Sequence, residues 1–569
     1  MSRFVAVLGP DAGVGGYRAM KEAARRDGWK ISDAGPSLWI AAQRATITRY
    51  PIAMGEVVVI GETVPDTPLS ISSADNADSA CQELTRKLWG RYVALLLTPD
   101  QRLAGVFRDP SGAIDCAVSR SGSAWLIASD TPGWMVNATN DHLVLSWQAV
   151  AEVLRDPITL SSADLLGGWK TVLPGALHLP DGRNRMIWSP AWAVGRSSPA
   201  KAEQLRTTID GTVAGLVRDR RSLLVEVSGG LDSAIMATSL RAGGFGGQVL
   251  WLNTHGPYPE SDERAYAEAV AKVLGVQLTI ISRSVQALVK GLALEHPQSF
   301  RPSLNRLDAA YDALQAELCE AHGVEGVLTG KGGDVAFLQT ASSSILADQV
   351  HDQGLAALRG RTAPVIARRM SRSAWRTMRA AIASARRPRA YSPAVNALLH
   401  SDIRNDESPS HPWLRDLGGI GPGKRQQIIG FASNLGLHSV SRRSERADLL
   451  HPALSQPVME AVLATPSYAL TKGGHDRLLA REAFADRLPQ ALVQRRSKAE
   501  LGGYYGRVIA ANIDRLRPHL LEGNLARQGL IDRDQVEAAL QVEHLIWQGG
   551  YLELMMLALV ESWTKAWLR

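Results

Sequence analysis

The chain has 569 residues, of which 45% are hydrophobic and 21% are charged, a composition typical of a globular protein with two or three domains. No apolar run approaches the ~18 residues needed to span a membrane, and no hydrophobic stretch near the start leads to a cleavage site, so we expect a cytoplasmic protein without membrane contacts. Three widely separated cysteines exclude a disulfide scaffold and a thiolate zinc site, and a net charge of +7 with a pI near 9.3 permits acidic partners without requiring them.

The first part of the chain, residues 1–195, reads as a series of short strands. Apolar runs of strand length (RYVALLLTP, LAGVFRDP, AIDCAVS and SAWLIASD) are separated by Pro, Gly, Asp and Ser. The stretch WLIASDTPGWMVNATNDHLVLSW is expected to continue in the same manner. The small and polar residues 196–204 are interpreted as a linker.

Residues 205–569 show a different pattern, in which strands and helices alternate. A helix that ends at Val217 leads to the strand Leu223–Val227, a helix from Ser233 and the strand QVLWLNTH, and the alternation continues to the strand VEGVLTG. This alternation predicts parallel βαβ units in a doubly wound sheet with helices on both faces. Beyond Val335 the pattern is mostly helical. The predicted fold class is therefore an α/β protein of two domains.

The sequence SGGLDS (Ser228–Ser233) lies where a predicted buried strand meets a helix. Backbone N–H groups at such a turn attract anions, and glycines let the backbone approach a phosphate closely. The two serine hydroxyls add hydrogen-bond donors. Asp232 would be repelled by phosphate unless a cation lay between them, so the motif predicts Mg²⁺ with Asp232 as one ligand. A chance turn with these five specified positions is expected in roughly one chain in a thousand.

A second acidic residue, Asp334, ends the sequence LTGKGGD, which follows the later predicted strand. The carboxyl ends of parallel strands open on one crevice. Asp232 and Asp334 are therefore expected to meet over one metal ion, although 102 positions separate them. The alternative for Asp334 is an ordinary aspartate in a glycine-rich turn.

The stretch Arg359–Arg389 contains ten arginines and no acidic residue. It is interpreted either as a solvated helical arm or as a contact for an acidic peptide or partner. The usual cation of this chain is arginine, with 51 Arg against 12 Lys. A lysine inside a motif is therefore a candidate for chemistry.

These motifs resemble those of a known family. SGGLDS is similar to the pyrophosphate-loop signature of the N-type ATP pyrophosphatases, and LTGKGGD resembles the second loop of their asparagine synthetase-like branch. The sequences at Ser444–Leu454 and Lys472–Gly503 resemble the C-terminal signatures of that branch, and WGRY and RDPSG resemble its glutaminase domain. The resemblance implies an Ntn-hydrolase-like αββα domain at 1–195 and an asparagine synthetase-like ATP-pyrophosphatase domain at 205–569.

The resemblance also implies a reaction and a set of site residues. Members of the family use ATP and Mg²⁺ to activate a carboxylate as an acyl-adenylate, release pyrophosphate and let an amine attack. Their metal-binding aspartates correspond to Asp232 and Asp334. Lys498 corresponds to a lysine that stabilises negative charge during acyl transfer, and a surface lysine is the alternative. The nucleotide-binding set is expected to be Val227, Ser228, Gly229, Gly230, Leu231, Asp232, Ser233, Asn253, Gly330, Gly332 and Gly333.

The sequence departs from the family at two positions. Ser2 stands where glutamine-dependent members have a cysteine nucleophile, and no cysteine precedes Cys81. Glutamine hydrolysis then lacks its nucleophile, so we expect the first domain to be a degenerate scaffold. Lys331 stands where asparagine synthetases have Glu and β-lactam synthetases have Tyr. We treat Lys331 as a candidate catalytic residue that contacts phosphate or a substrate carboxylate.

A synthetase without glutaminase activity needs an amine from its own substrate, which favours ring closure. The lack of Tyr at position 331 and the arginine-rich stretch favour the macrolactam synthetases of lasso peptides, which join a side-chain carboxylate of a precursor peptide to its N-terminal amine. The expected partners are the precursor peptide, a leader peptidase and a leader-binding protein, and not nucleic acid. The alternatives are an asparagine synthetase using ammonia or glutamine, a β-lactam synthetase, a tRNA-modifying pyrophosphatase and an inactive binding protein.

Overall fold

The structure is a computed structural model, and its described residues form 17 strands in three sheets. Among those residues, no helix is both long enough and apolar enough to cross a bilayer. The described residues are 2–13, 15–33, 35, 37–65, 74–138, 143–283, 294–339, 342–405, 411–495, 502–547 and 550–568.

Two antiparallel sheets of six strands each lie in the first part of the chain. The strands are β1 (Arg3–Leu8), β2 (Lys30–Asp33), β3 (Leu38–Gln43), β4 (Ile47–Ile52), β5 (Gly55–Val64), β6 (Trp89–Leu97), β7 (Leu103–Arg108), β8 (Ala117–Ser121), β9 (Ala124–Ala128), β10 (Trp169–Thr171), β11 (Ala176–His178) and β12 (Asn184–Met186). Their orders are β10-β8-β9-β1-β3-β2 and β12-β11-β7-β6-β5-β4. The helices of this part are Gly15–Arg26, Ala77–Lys87, Gly133–Ala138, Trp147–Arg155, Pro157–Ser161 (3₁₀) and Pro190–Ala193.

The two antiparallel sheets face each other across one core. Phe4 of the first sheet and Val58 of the second belong to the same buried apolar cluster. The helix Gly15–Arg26 covers the outer face of the first sheet, and the helix Ala77–Lys87 covers that of the second. The order of layers is therefore helix, sheet, sheet, helix, which is the αββα arrangement that was expected.

One stretch of the first part differs from the prediction. Residues in WLIASDTPGWMVNATNDHLVLSW were expected to continue the strands, but Gly133–Ala138 is a helix. Proline fits the start of a helix because its missing N–H needs no intrahelical partner there. Pro132 directly precedes this helix, and Met135 and Val136 are buried on it.

The second part of the chain contains a five-stranded parallel sheet. Its strands are β13 (Ser222–Glu226), β14 (Gln248–His255), β15 (Thr279–Ser282), β16 (Gly326–Leu328) and β17 (Asp448–Leu450), in the order β15-β14-β13-β16-β17. The chain adds β14 and β15 on one side of β13 and then returns to place β16 on the other side. The position between β13 and β16 is therefore a topological switch point, where ligands bind in open α/β sheets.

Beyond β16 the chain is mostly helical, as predicted, apart from the short strand β17. The α-helices after residue 200 are Ala202–Val217, Leu231–Ala242, Arg264–Leu274, Ala309–Ala321, Gly333–Ala336, Ser343–Gln353, Thr362–Arg369, Ala374–Arg386, Ser401–Arg404, Pro422–Asn434, Arg442–Arg446, Gln456–Ala464, Ser467–Leu470, Leu478–Ala483, Gln490–Gln494, Gly502–Ala510, Ile513–Leu521, Asn524–Arg527, Arg533–Ala539, Val542–Trp547 and Tyr551–Trp567. The 3₁₀-helices are Pro259–Ser261, Leu304–Asp308, Gly354–Arg359, Pro412–Leu414, Leu435–His438 and Pro452–Leu454.

Buried ion pairs join the two parts of the chain. Arg220 donates to Glu62 at 2.8 Å and to Asp448 at 2.9 Å, and Arg91 donates to Asp448 at 3.3 Å. Burial alone would raise the pKa of Asp448, but the attraction of Arg91 and Arg220 holds that pKa below its usual range. The helix Ala202–Val217 begins inside the predicted linker, and the domain boundaries at 195 and 205 stay a prediction.

Candidate active site

The first predicted loop connects β13 to the helix Leu231–Ala242. The helix begins two residues before the predicted Ser233, so Asp232 lies in its first turn. First-turn N–H groups have no intrahelical partner, and they carry the positive end of the helix dipole. Both features suit an anion such as phosphate.

Hydrogen bonds within the loop fix its shape. The hydroxyls of Ser228 and Ser233 are 2.9 Å apart, and the Gly230 N–H donates to the Ser228 hydroxyl at 3.2 Å. Gly229 has φ +89°, and a Cβ there would lie 2.5 Å from the carbonyl oxygen of Glu263. Only glycine is compatible with this left-handed and crowded position.

The second predicted loop follows β16 and packs directly on the first. A Cβ on Gly330 would lie 2.4 Å from the backbone nitrogen of Ser233, and a Cβ on Gly333 would lie 2.5 Å from the Cβ of Asp232. Gly332 has φ +85°, a backbone conformation that favours glycine. The glycines of LTGKGGD therefore serve to bring the two loops into contact.

Asp232 and Asp334 face a common point, which is occupied by the guanidinium of Arg477. One nitrogen of this group is 3.0 Å from Asp232 Oδ2 and 3.2 Å from Asp334 Oδ1. Burial by itself would lower the pKa of Arg477, but the carboxylates of Asp232 and Asp476 raise it above its usual value. The structure thus brings the two predicted aspartates together around one positive charge.

Arg477 was not among the predicted site residues. Its backbone has φ 52° and ψ 27°, a left-handed conformation that costs a non-glycine residue about 1–3 kcal/mol and is found preferentially at functional sites. The two preceding glycines, Gly473 and Gly474, have φ values of +81° and +102°. This glycine pair was the signal in the sequence for an unusual turn before Arg477.

The donor set around Asp232 and Asp334 fits Mg²⁺. In the described parts of the chain, no group of three or more His, Cys, Asp or Glu side chains is arranged to hold a metal ion. Magnesium at nucleotide sites needs fewer protein ligands, because it takes one or two carboxylates together with phosphate oxygens and water. Two carboxylates that already share one cation meet this requirement, so Asp232 and Asp334 would be the residues to hold the ion.

Asn253 and the apolar members of the predicted nucleotide-binding set hold the loop in place. The Asn253 side chain is buried and donates from Nδ2 to the carbonyl oxygen of Val227 at 2.7 Å. Its Oδ1 atom is buried without a hydrogen-bond partner in the described residues, so it is available to a ligand. Val227 and Leu231 are buried in the apolar core, so only their backbone atoms can face a nucleotide.

Lys331 is half-buried among polar groups just after β16. Its Nζ lies 3.4 Å from Asn305 Oδ1, and its backbone N–H donates to Thr329 Oγ1 at 3.2 Å. Burial and the nearby cation of Arg443 together lower the pKa of Lys331 to about 7, against the opposing effect of the Glu226 carboxylate. A substantial fraction of Lys331 is therefore a neutral amine near pH 7, with a lone pair that accepts a proton.

Arg443 organises the polar cluster around Lys331. Its guanidinium donates to Asn305 Oδ1 and to Gln315 Oε1, both at 2.7 Å. It also lies 3.3 Å from Asp312 and 3.5 Å from Glu226. Because Glu226 ends β13 and Lys331 follows β16, the cluster lies at the same edge of the sheet as the two loops.

Lys498 lies outside the described residues. The described chain reaches Arg495, three positions earlier, which is bound to the rim of the first loop. Arg495 donates to the Gly229 carbonyl oxygen at 3.1 Å, forms an ion pair with Glu263 and stacks its guanidinium 4.0 Å from the ring centre of Tyr266. Arg495 therefore lies beside the predicted phosphate site.

The first part of the chain offers no activated nucleophile at Ser2 or at a cysteine. Ser2 is 1% exposed, and its hydroxyl donates to the Arg44 carbonyl oxygen at 2.9 Å. The three cysteines are buried and form no disulfide. Burial raises the pKa of the Cys319 thiol to about 12 and the pKa values of the Cys81 and Cys116 thiols also lie above their usual range, so all three are thiols near pH 7.

Residues 204–569, more than half of the chain, match the family described as asparagine synthase. No curated protein matches the chain. Among solved structures, glutamine phosphoribosylpyrophosphate (PRPP) amidotransferase from B. subtilis complexed with ADP and GMP is similar at 12% identity, over 43% of this chain and 65% of that chain, with a TM-score of 0.19. A structure described as the allosteric regulatory enzyme of purine biosynthesis is similar at 10% identity, over 52% of this chain and 82% of that chain, with a TM-score of 0.21.

This chain spans just under two thirds of the length of the first of those structures, and TM-scores this low assign neither a fold nor a function. The family match, by contrast, contains both loops, Arg477 and the cluster around Lys331. The chain belongs to the asparagine synthase family.

Proposed function

We propose that the protein is an ATP-dependent carbon–nitrogen ligase that closes a macrolactam in a precursor peptide. It adenylates the side-chain carboxylate of an Asp or Glu residue, with release of pyrophosphate, and the N-terminal amine of the same peptide displaces AMP. The observation that carries the adenylation step is the meeting of Asp232 and Asp334 around one cation beside an anion-binding loop. A leader peptidase and a leader-binding protein are the proposed partners, and the cytoplasm is the proposed compartment.

The loop residues position ATP in this proposal. The backbone N–H groups at the start of the helix Leu231–Ala242 bind the phosphates, and Arg477 binds phosphate oxygens when it leaves the two carboxylates. Asp232 and Asp334 would hold Mg²⁺, which would supply positive charge to neutralise the phosphates. The substrate carboxylate then attacks the α-phosphorus, and the bond between the α- and β-phosphates breaks.

Lys331 is the proposed general base for amide formation. The attacking ammonium must lose a proton before its nitrogen can bond to the acyl carbon, and Lys331 in its neutral form accepts that proton. Asn305 contacts Lys331 and is itself held by Arg443, and the carboxylates of Glu226, Asp308 and Asp312 stabilise the ammonium that results. Lys498 is proposed to stabilise the oxyanion of the tetrahedral intermediate.

The state of the first domain favours an amine from the substrate itself. The Ser2 hydroxyl is bonded to a carbonyl oxygen, and all three cysteines are protonated and buried, so glutamine hydrolysis has no thiolate nucleophile. We propose that residues 1–195 are a degenerate Ntn-type glutaminase domain that is kept as a scaffold. The buried ion pairs of Arg220 with Glu62 and Asp448 support this structural role.

The second candidate is an asparagine synthetase that uses free ammonia, and the family match itself favours it. Both candidates form an acyl-adenylate, but they differ in the carboxylate and in the amine. Incubation of the protein with ATP, Mg²⁺ and peptides that carry an internal Asp or Glu is expected to give AMP and a peptide lighter by one water. An unchanged peptide together with asparagine formation from aspartate and ammonia would overturn the macrolactam proposal.

The pH dependence of amide formation tests the role of Lys331. Because a base must be unprotonated, the single-turnover rate of acyl transfer is expected to rise as pH increases through about 7 and to level off above it. Lys331→Met is expected to remove this rise and to slow the step by about 10²-fold. A wild-type pH profile in the Lys331→Met variant would contradict the assignment.

Arg477 gives a separate test of ATP binding. Arg477→Met removes a phosphate partner, so the KM for ATP in ATP–pyrophosphate exchange is expected to rise about tenfold or more. It also leaves Asp232 and Asp334 without the guanidinium, so Mg²⁺ is expected to bind more tightly in calorimetric titrations without nucleotide. Arg477→Lys keeps the charge and is the matched control, with a smaller change in both values. An unchanged KM for ATP and an unchanged Mg²⁺ affinity in Arg477→Met would rule out the role of Arg477 in binding phosphate.

A further inference from the structure

The arginine-rich stretch Arg359–Arg389 takes no part in the chemistry proposed above. It spans the helices Thr362–Arg369 and Ala374–Arg386. The chain contains 63 basic and 56 acidic residues, and without the ten arginines of this stretch 53 basic residues remain, a net charge of −3. The positive net charge of the protein is therefore concentrated in this one stretch.

One face of the helix Ala374–Arg386 is exposed along its length. At about 100° per residue, four of its side chains fall within an arc of about 100°, whereas Thr377 and Ala381 are buried on the opposite side. The tryptophan of this face has 75% of its surface exposed. We call the exposed set the basic stripe, and its members are Trp375, Arg376, Arg379 and Arg386.

The basic stripe carries three positive charges. In the part of the chain that the structure describes, Arg376, Arg379 and Arg386 form no ion pair, whereas Arg369 in the neighbouring helix does. Three positive charges on one helix face repel one another. The exposed indole of Trp375 also lacks the favourable free energy that burial of its apolar surface would give. Trp and Arg are also the residues that contribute most to protein interfaces. The face is therefore complementary to a segment that is both acidic and partly apolar.

The stretch is connected to the active site by two ion pairs in series. Arg369 donates to Asp476 Oδ1 at 2.9 Å and to the Gly474 carbonyl oxygen at 3.2 Å. Asp476 in turn lies 3.2 Å from the guanidinium of Arg477, which bridges Asp232 and Asp334. The helix Thr362–Arg369 of this stretch is thus joined to the residues proposed to bind ATP.

We propose that the basic stripe binds an acidic segment of the peptide substrate and so delivers the reacting part of that peptide to the active site. From Trp375 to Arg386 the helix advances about 16 Å, which an extended peptide of about five residues spans. The net negative charge of the remaining chain disfavours a long polyanion such as RNA, which needs a broad basic surface. The inference rests on the proposed function, since it requires a peptide substrate.

Binding of a labelled peptide tests the basic stripe without any turnover. The probe is a fluorescein-labelled peptide of sequence EELEE, and its anisotropy is measured with the full chain at low and at physiological salt. The triple variant Arg376→Glu, Arg379→Glu and Arg386→Glu is expected to weaken binding about tenfold or more, and salt is expected to weaken wild-type binding. Trp375→Ala is expected to weaken binding at both salt concentrations.

A matched triple variant separates the basic stripe from general charge. Arg26→Glu, Arg241→Glu and Arg533→Glu change the net charge equally at exposed positions elsewhere, and they are expected to leave binding within about twofold of wild type. Equal losses in both triple variants, or no binding by wild type, would overturn the proposal. Tighter binding of a single-stranded RNA than of the peptide would overturn the proposal and assign the basic stripe to nucleic acid. A change of oligomeric state in the first triple variant would overturn it and assign the stripe to a second copy of this chain.

Turnover separates this inference from the proposed function. With a peptide substrate that carries an acidic segment, the first triple variant is expected to raise the KM for the peptide about tenfold with kcat unchanged. An unchanged KM together with normal AMP release would overturn the docking role alone. Failure of the wild-type protein to release AMP with any peptide would instead overturn the proposed function.

Discussion

Asp232→Asn is expected to lower ATP–pyrophosphate exchange by about 10³-fold or more while the protein stays folded. The substitution removes one of the two charges that hold the cation, and the remaining amide is a poor ligand for Mg²⁺. Asparagine has nearly the same shape as aspartate, so the contact between Asp232 and the Gly333 backbone is kept. Exchange is measured with labelled pyrophosphate, and folding is measured by thermal unfolding.

Asp181→Asn is the matched control for this experiment. Asp181 is a half-exposed residue of the first part of the chain, and its ion pair is with Arg183 two positions away. The Asp181→Asn variant is expected to catalyse ATP–pyrophosphate exchange at the wild-type rate. An Asp232→Asn variant that turns over normally would show that Asp232 does not hold the cation, and a variant that unfolds would require the test to be repeated with Asp334→Asn, for which the same loss is expected.

Lys498→Ala is expected to separate the two half-reactions. If Lys498 stabilises the oxyanion of acyl transfer, its removal slows amide formation by about 10²–10³-fold, while ATP–pyrophosphate exchange stays near the wild-type rate. The acyl-adenylate then accumulates and is detectable by rapid quench and mass spectrometry. Lys498 is assigned a catalytic role only if amide formation is lost while ATP–pyrophosphate exchange is retained.

Lys30→Ala is the control for Lys498→Ala. Lys30 is an exposed residue at the start of β2, far along the chain from the loops. No change in either half-reaction is expected. Loss of both half-reactions in Lys498→Ala would point to a role in binding ATP, and this would contradict the proposed role in acyl transfer.

The sequence predicted the parallel sheet and its loops well because their signals are local. The strand β14 has the predicted bounds, and the helix after SGGLDS begins within two residues of the predicted start. Gly229 was expected to allow close approach of the backbone to phosphate, and its backbone is left-handed and too crowded for a Cβ. The spacing of apolar residues and the residue types typical of turns depend only on residues close together in the sequence. These features therefore indicate strands, helices and loops without knowledge of the tertiary structure.

Arg477 could not be found in this way because its role depends on distant residues. It is 245 positions from Asp232 and 143 from Asp334, and it is one of 51 arginines. Its left-handed backbone leaves no mark on the residue type. The low pKa of Lys331 was hidden for a related reason, since it results from burial and from Arg443, which lies on a separate helix. The helix Gly133–Ala138 was missed because its start resembles a turn.

The products of ATP cleavage test the central claim most directly. If Asp232, Asp334 and the adjoining loops activate a carboxylate by adenylation, then ATP consumed with a peptide substrate gives AMP and pyrophosphate in equal amounts, and ¹⁸O placed in the substrate carboxylate appears in AMP. Formation of ADP and orthophosphate, with no label in the nucleotide, would contradict the account.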